Sequence, residues 1–270
     1  MDGRLGGSKV AVFAAGDREA LVAELVDRAR RDPRLTGGAL TGSASVGATD
    51  RWSDIDLAFG VADSASMAEV LADWTRAMHE RHGAVHHFDM PVGATVYRVF
   101  LLGSTLQVDL AFAPAAEFGP RAATFRLLFG QALETMRPPP APDAERLVGM
   151  AWLYALHTRS CIRRGQVWRA EYMVSAMRTA VLTLACLRCG LETAHARGVD
   201  RLPAEVTEPI ARSLVGELTA GELCRAFAVL TDALLEEARL SVPEVARRVA
   251  LTLRALVASA GGAGDDRARP

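Results

Sequence analysis

Three aspartates carry the chemistry that this sequence offers. Asp54 and Asp56 stand two apart in Ser53-Asp54-Ile55-Asp56-Leu57, where Ile55, Leu57, Phe59 and Val61 alternate with other residues. Successive side chains of a β-strand point to opposite faces, so the two carboxylates share one face and the alternating apolar set turns to a core. At a rise of about 3.3 Å per residue their Cα atoms lie about 6–7 Å apart. Like charges that close repel each other and call for a cation between them, and hard carboxylate oxygens select Mg²⁺ or Mn²⁺. The third carboxylate, Asp109, falls mid-strand in a pattern whose other face is Leu106, Val108, Leu110 and Phe112. A charge there is costly unless it is paired or binds a metal. All three follow a glycine loop that opens at Gly42-Ser43. Three strand carboxylates behind such a loop suggest a two-metal site for phosphoryl transfer.

Stepping outward, apolar spacing predicts a helix over residues 17–31, a short strand over 36–41, and the period-two strand over 54–61. A helix follows over 64–82, capped by Ser64 or Ser66, and then strands over 84–90, 94–102 and 105–113, the last two joined by a tight turn at Gly103-Ser104. Arg137-Pro-Pro-Pro-Ala-Pro142 places four prolines in five residues, which neither a helix interior nor a central strand tolerates. Beyond it, residues 144–164, 168–189, 204–214, 220–239 and 243–258 all have helical period. The expected organisation is therefore α+β: a catalytic domain over 1–137, a linker over 138–142, an all-α bundle over 143–260 and a disordered Gly-, Asp- and Arg-rich tail over 261–270.

The 270 residues are 50% hydrophobic, with 31 basic against 32 acidic side chains, the profile of an ordinary globular protein. A formal net charge of −1 disfavours a nucleic-acid partner, which usually requires a basic excess. All the positive charges except Lys9 are arginines, leaving planar guanidinium groups for any anion binding. Apolar runs of about ten residues fall short of the roughly 18–20 that a membrane span needs, and the run over 10–15 is too short to suggest a secretory signal. Four cysteines without a disulfide-like framework fit a cytoplasmic setting, with Cys186 and Cys189 read as structural helix residues.

The pattern G-S-x(10)-D-x-D with a later strand aspartate resembles the DNA polymerase beta-like nucleotidyltransferase superfamily. Gly42, Ser43, Gly47, Ser53, Asp54, Asp56 and Leu57 all fall at the spacing of that motif. The resemblance covers roughly the first 115 residues, and a helical second domain of this size is similar to that of the antibiotic nucleotidyltransferases, the aminoglycoside and lincosamide enzymes among them. It implies a mixed sheet flanked by helices. It also implies that Gly42 and Ser43, with Ser53 near them, hold the triphosphate of ATP or another nucleoside triphosphate. Asp54 and Asp56 would bind two Mg²⁺ ions, or Mn²⁺, and Asp109 would complete the metal site. Where many members carry an arginine after the Gly-Ser pair, this chain has Ala44 and Val46, which makes Arg51 the candidate substitute for phosphate contact. The implied reaction moves a nucleoside monophosphate, most often AMP, to a hydroxyl of a small acceptor such as an aminoglycoside or lincosamide. The alternative is a protein-modifying (AMPylating) or antitoxin-like enzyme.

In the second domain Arg164, Trp168, Glu171, Ser175 and Arg178 recur at intervals of three and four and form one stripe. Either Glu171 faces water and pairs with Ser175 or Arg178, or it lines a cleft as general base or as anchor for a cationic acceptor. Glu134 and Glu145 are its rivals. His86 and His87 point to opposite strand faces and read as structural. His157 reads as a hydrogen-bonded core residue, and Trp152, Tyr154, Trp168 and Tyr172 read mostly as packing, with one or two of them as alternatives for flanking an acceptor pocket.

Overall fold

A computed structural model describes residues 12–261, so Lys9, the start of the apolar run over 10–15 and the tail beyond Gly261 lie outside the described residues. The chain divides between Pro139 and Pro140 into two compact units.

The first unit is an α+β layer structure. In chain order it contains α1 (Ala15–Arg31), β1 (Leu35–Thr41), the single turn α2 (Gly42–Ser45), β2 (Ile55–Val61), α3 (Met67–His82), β3 (Ala84–Val92), β4 (Thr95–Leu102), β5 (Gln107–Pro114) and β6 (Phe125–Gly130). The strands form one mixed sheet in the order β3-β4-β5-β2-β1-β6. Among the described residues only β2 and β5 run parallel; the other pairs are antiparallel.

Helix α3 begins at Ser66, whose hydroxyl accepts from the Glu69 amide, and stops at Gly83 in the left-handed region, the usual pairing of a polar N-cap with a glycine past the last turn. It buries Val70, Leu71, Trp74, Ala77 and Met78. Of these, Val70, Leu71, Trp74 and Met78 pack with Leu21 and Leu25 of α1 on the sheet face made by Ile55, Leu57, Phe59, Val108, Leu110 and Phe112. Trp74 is the hub. Its ring centroid lies 4.9 Å from Phe59 and 5.7 Å from Phe112, and its indole N–H donates to Asp32 Oδ2 at 3.2 Å. Asp32 also accepts from Arg34, which reaches on to Asp73 at 2.8 Å, so the end of α1 is tied to α3. Those charge-assisted bonds hold the Asp32 carboxyl below the usual carboxylate range.

Two details depart from the sequence reading. Residues 105–106 leave the strand: Thr105 adopts φ 70° and its amide bonds the Leu102 carbonyl, so the turn takes two residues from the start of the predicted strand. Residues 125–130 form an edge strand, β6, for which the sequence pattern predicts nothing, since Phe125-Arg-Leu-Leu-Phe does not alternate. It pairs with β1 through a register shift beside Gly38, where a Cβ would lie only 2.3 Å from the Phe129 ring.

The second unit is all-α: α4 (Ala144–Arg163), α5 (Val167–Arg188), α6 (Ala204–Ala211), α7 (Ala220–Ser241) and α8 (Pro243–Gly261). Gly261 thus closes a helix instead of opening the tail. Caps fit the sequence, with Asp143 accepting from the Arg146 amide and Thr219 from the Glu222 amide. Met177, Val181, Leu184, Phe227, Leu230 and Leu234 are central to its core. Among the described helices α5 has the length and apolarity of a membrane span, but nearly half of that stretch is buried in the bundle.

The aromatic and histidine assignments in this unit need correction. Trp168 is 76% exposed, Tyr172 66% and Trp152 38%; only Tyr154 packs against the core as expected. His157 is exposed as well. The buried stripe of α4 runs through Val148, Ala151, Ala155, Thr158 and Ile162, and residue 157 lies off it. Cys186 is buried and Cys189 half-buried, both as free thiols.

Candidate functional site

The parallel register between β2 and β5 sets Asp56 directly beside Asp109. Asp54 precedes β2, one residue outside the strand in which the sequence pattern includes it, and still joins the group: one carboxylate oxygen from each of Asp54, Asp56 and Asp109 lies within 4.8 Å of the others. All three are half-buried. Alternation accounts for the placement. Ile55, Leu57, Val108 and Leu110 take the helix-covered face, which leaves the aspartates and the small residues Ala58 and Ala111 on the other.

Electrostatics marks the cluster as short of positive charge. Burial pushes the Asp109 carboxyl up to about 6 and the neighbouring Asp54 charge adds to the rise, while the Gln107 amide opposes it by donating to both Asp109 oxygens at 3.0 and 3.1 Å. A divalent cation would offset what a neutral amide cannot. Three converging carboxylates with no sulfur or imidazole among them fit a hard, oxygen-seeking ion, Mg²⁺ or Mn²⁺.

Gly42 belongs to the same site by contact. Its φ is +59°, and a Cβ there would come within 2.0 Å of Asp56 Oδ2. Only a residue without a side chain lets the backbone of α2 approach that carboxylate. Ser45 Oγ donates to the Gly42 carbonyl at 2.7 Å and closes the turn. The loop that leads to Asp54 is fixed by its own polar groups. The Asp50 amide bonds Ser53 Oγ at 2.9 Å, and the Asp50 carboxylate accepts from the Trp52 amide at 2.8 Å and from Ser53 Oγ at 3.1 Å. Those bonds lower the Asp50 carboxyl, the Trp52 amide first among them. Arg18 of α1, buried to 6% exposure, donates to the Asp50 carbonyl at 2.5 Å.

Among the residues singled out by sequence, Asp54, Asp56, Asp109 and Gly42 therefore meet, and Ser53 shapes the loop beside them. Arg51 is exposed and lies over the Trp52 ring at 4.1 Å from its centroid. Glu171 lies on α5 of the second unit, where Ser175 Oγ donates to it at 2.5 Å and Arg178 links Ser175 to Ser213. Glu134 and Glu145 are both exposed. Sequence reading missed Gln107 and Arg18. Gln107 was open to discovery as the polar residue two before Asp109 on the same strand face, whereas nothing local marks Arg18 as a support of a loop so far along the chain.

No family model matches the chain, and no curated protein matches it. Among solved structures it is similar to an aminoglycoside 6-adenyltransferase from Bacillus subtilis, over 88% of this chain and 98% of that one, at 12% identity and a TM-score of 0.37.

Proposed function

We propose that this protein is a metal-dependent nucleotidyltransferase that moves a nucleoside monophosphate, AMP in the first instance, from a nucleoside triphosphate to a hydroxyl of a small molecule. The observation that carries the reading is the convergence of Asp54, Asp56 and Asp109 within 4.8 Å, with the Gly42 backbone packed against Asp56. An antibiotic such as an aminoglycoside or lincosamide is the proposed acceptor class, on the sequence resemblance. In the reaction the acceptor oxygen bonds to the α-phosphorus, the bond from that phosphorus to the β-phosphate oxygen breaks, and pyrophosphate leaves.

The three aspartates would hold the cations. Bound there, Mg²⁺ or Mn²⁺ supplies neutralising charge for the phosphates and makes the acceptor hydroxyl more acidic. Gly42 brings backbone close to Asp56, where Gly42 and Ser43 would hold the triphosphate, and the network of Arg18, Asp50 and Ser53 fixes the loop that leads to Asp54. Glu171 is proposed as general base or as anchor for a cationic group of the acceptor, and Arg51 as a phosphate contact once it leaves Trp52.

The test is labelled ATP, and each other nucleoside triphosphate in turn, with a panel of antibiotics and Mg²⁺. A nucleotidylated drug and released pyrophosphate are expected, and Asp54→Asn should abolish both while circular dichroism stays that of the wild type. Unchanged turnover in Asp54→Asn would sink the mechanism, and label on protein alone would assign the enzyme to protein acceptors. Glu171→Gln should lower kcat and flatten its fall on the acid limb of the pH profile, where a carboxylate base is protonated; an unaltered profile eliminates it as base.

A further inference from the structure

The sheet face that carries the carboxylates does not end at β5. In an antiparallel pair directly opposed residues share a face, so the register extends Asp109 across β4 to Val99 and across β3 to Phe88. The next row runs from Ala111 through Tyr97 to Met90. At about 4.8 Å between strands, Phe88 stands about 10 Å from Asp109. Phe88 is 50% exposed and Met90 46%. An edge strand with a solvated face ordinarily carries polar or charged side chains there. Here the ion pair of β3 and β4 is on the opposite face, where Arg98 grips Asp89 and bonds Leu71 and Thr75 of α3, and the shelf face of β3 carries one titratable side chain, His86, in the row of Leu101 and Gln107. Beyond Asp109 these rows hold no carboxylate for a cationic ligand.

The direction of this apolar shelf matters. Strand β2 lies between β1 and β5, so Gly42, at the end of β1, and the shelf flank the carboxylates on opposite sides. In-line displacement at phosphorus requires the entering oxygen and the leaving pyrophosphate to be opposite each other. With the triphosphate at Gly42-Ser43, the acceptor enters from the shelf side.

We infer that Phe88, Met90 and Tyr97, seated around the buried Val99, form the acceptor-selecting surface, and that the acceptor is an amphiphilic hydroxyl compound, a polar ring with an alkyl or aryl arm, in preference to a polycation. The arm lies on the shelf and the hydroxyl reaches Asp109. This inference rests on the nucleotidyl-transfer reading and narrows its acceptor.

The experiment titrates the full-length protein by NMR with octyl β-D-glucoside below its micelle concentration, and separately with kanamycin as the polycation. Both titrations are run with Mn²⁺-free protein and with Mg²⁺ plus a non-hydrolysable ATP analogue. Octyl glucoside is expected to bind with contacts to shelf residues. Phe88→Ser and Met90→Ser, both at partly exposed positions, should each weaken it about tenfold, whereas Leu251→Ser on the exposed face of α8 should not. Kanamycin should bind at least tenfold more weakly than octyl glucoside. Equal affinity of wild type and shelf variants, or tighter binding of kanamycin, overturns the inference. So does a dimer in sedimentation that Phe88→Ser dissociates, since a second copy would then be the occupant. Metal-dependent binding of the ATP analogue is read in the same samples: its loss in the wild type would refute nucleotidyl transfer, while its retention with unaffected shelf variants would refute the shelf alone.

Discussion

At the scale of single residues, two positions give sharp expectations. Gly42 combines a left-handed backbone with a missing side chain against Asp56. An alanine costs on the order of 1 kcal/mol in that conformation, and its methyl would also displace the carboxylate. Gly42→Ala should lower metal-dependent pyrophosphate release at least a hundredfold while the melting temperature falls only modestly; near-normal kinetics would show that Asp56 needs no such approach. Asp109 gives a pH prediction. Its folded value near 6 exceeds the ordinary aspartate value of about 3.8, so between those values the folded protein binds a proton that the unfolded chain releases. Metal-free stability from this group is therefore full below about pH 4 and is lost as pH rises through about 6. Asp109→Asn removes that loss, and should melt higher than the wild type at pH 7 by a margin that shrinks toward pH 4. Metal affinity has the opposite sign, because a ligand must be ionised: Mn²⁺ binding should weaken as pH falls through about 6. An Asn variant no more stable than wild type at pH 7 contradicts the assignment of an unfavourable buried charge.

At the scale of elements, the sheet positions the aspartates, and Trp74 is the side chain that fastens α3 to it. The residue is fully buried among Phe59 and Phe112 with its N–H satisfied by Asp32. Trp74→Ala should cost about 3–5 kcal/mol from lost burial and the cavity left behind, read as a lower denaturation midpoint for the first unit. Trp74→Phe should cost less, since it keeps one ring against Phe59 and Phe112 while it gives up the bond to Asp32, part of the buried volume and part of the stacking under Arg28. The elements that the sequence pattern announces are α1, β1, β2, α3, β3, β4, β5 and the helices from α4 onward, and in β2, β5, α7 and α8 the apolar residues repeat on one face. Strand β6 escapes because it is short and half-exposed on both faces, and it is a strand by virtue of the β1 edge it completes. Trp168 and Tyr172 show the converse: large apolar side chains raise an expectation of packing, but their exposure depends on which side of α5 the other helices occupy.

At the scale of the molecule, two units each with its own buried cluster predict separable responses to ligand. Mn²⁺ at about a hundred times its Kd should stabilise the first unit by about 2.7 kcal/mol. Hydrogen exchange should slow in β2 and β5 and stay unchanged in α7 and α8; equal protection in both units would place the metal elsewhere. The sequence by itself determined the residue types, their spacing and their faces. Alternation in residues 54–61 and around Asp109 already separates the carboxylates from the core, and the proline run interrupts both regular structures, because these are properties of consecutive residues. Tertiary structure alone decided that Asp56 and Asp109 are register neighbours, that Gly42 lies against Asp56, that Arg18 supports the loop before Asp54, and that the carboxylate face continues as an apolar shelf to β3. Strand order and register are fixed by contacts between residues distant along the chain, so no local pattern contains them, and the cluster exists only after β5 has found β2.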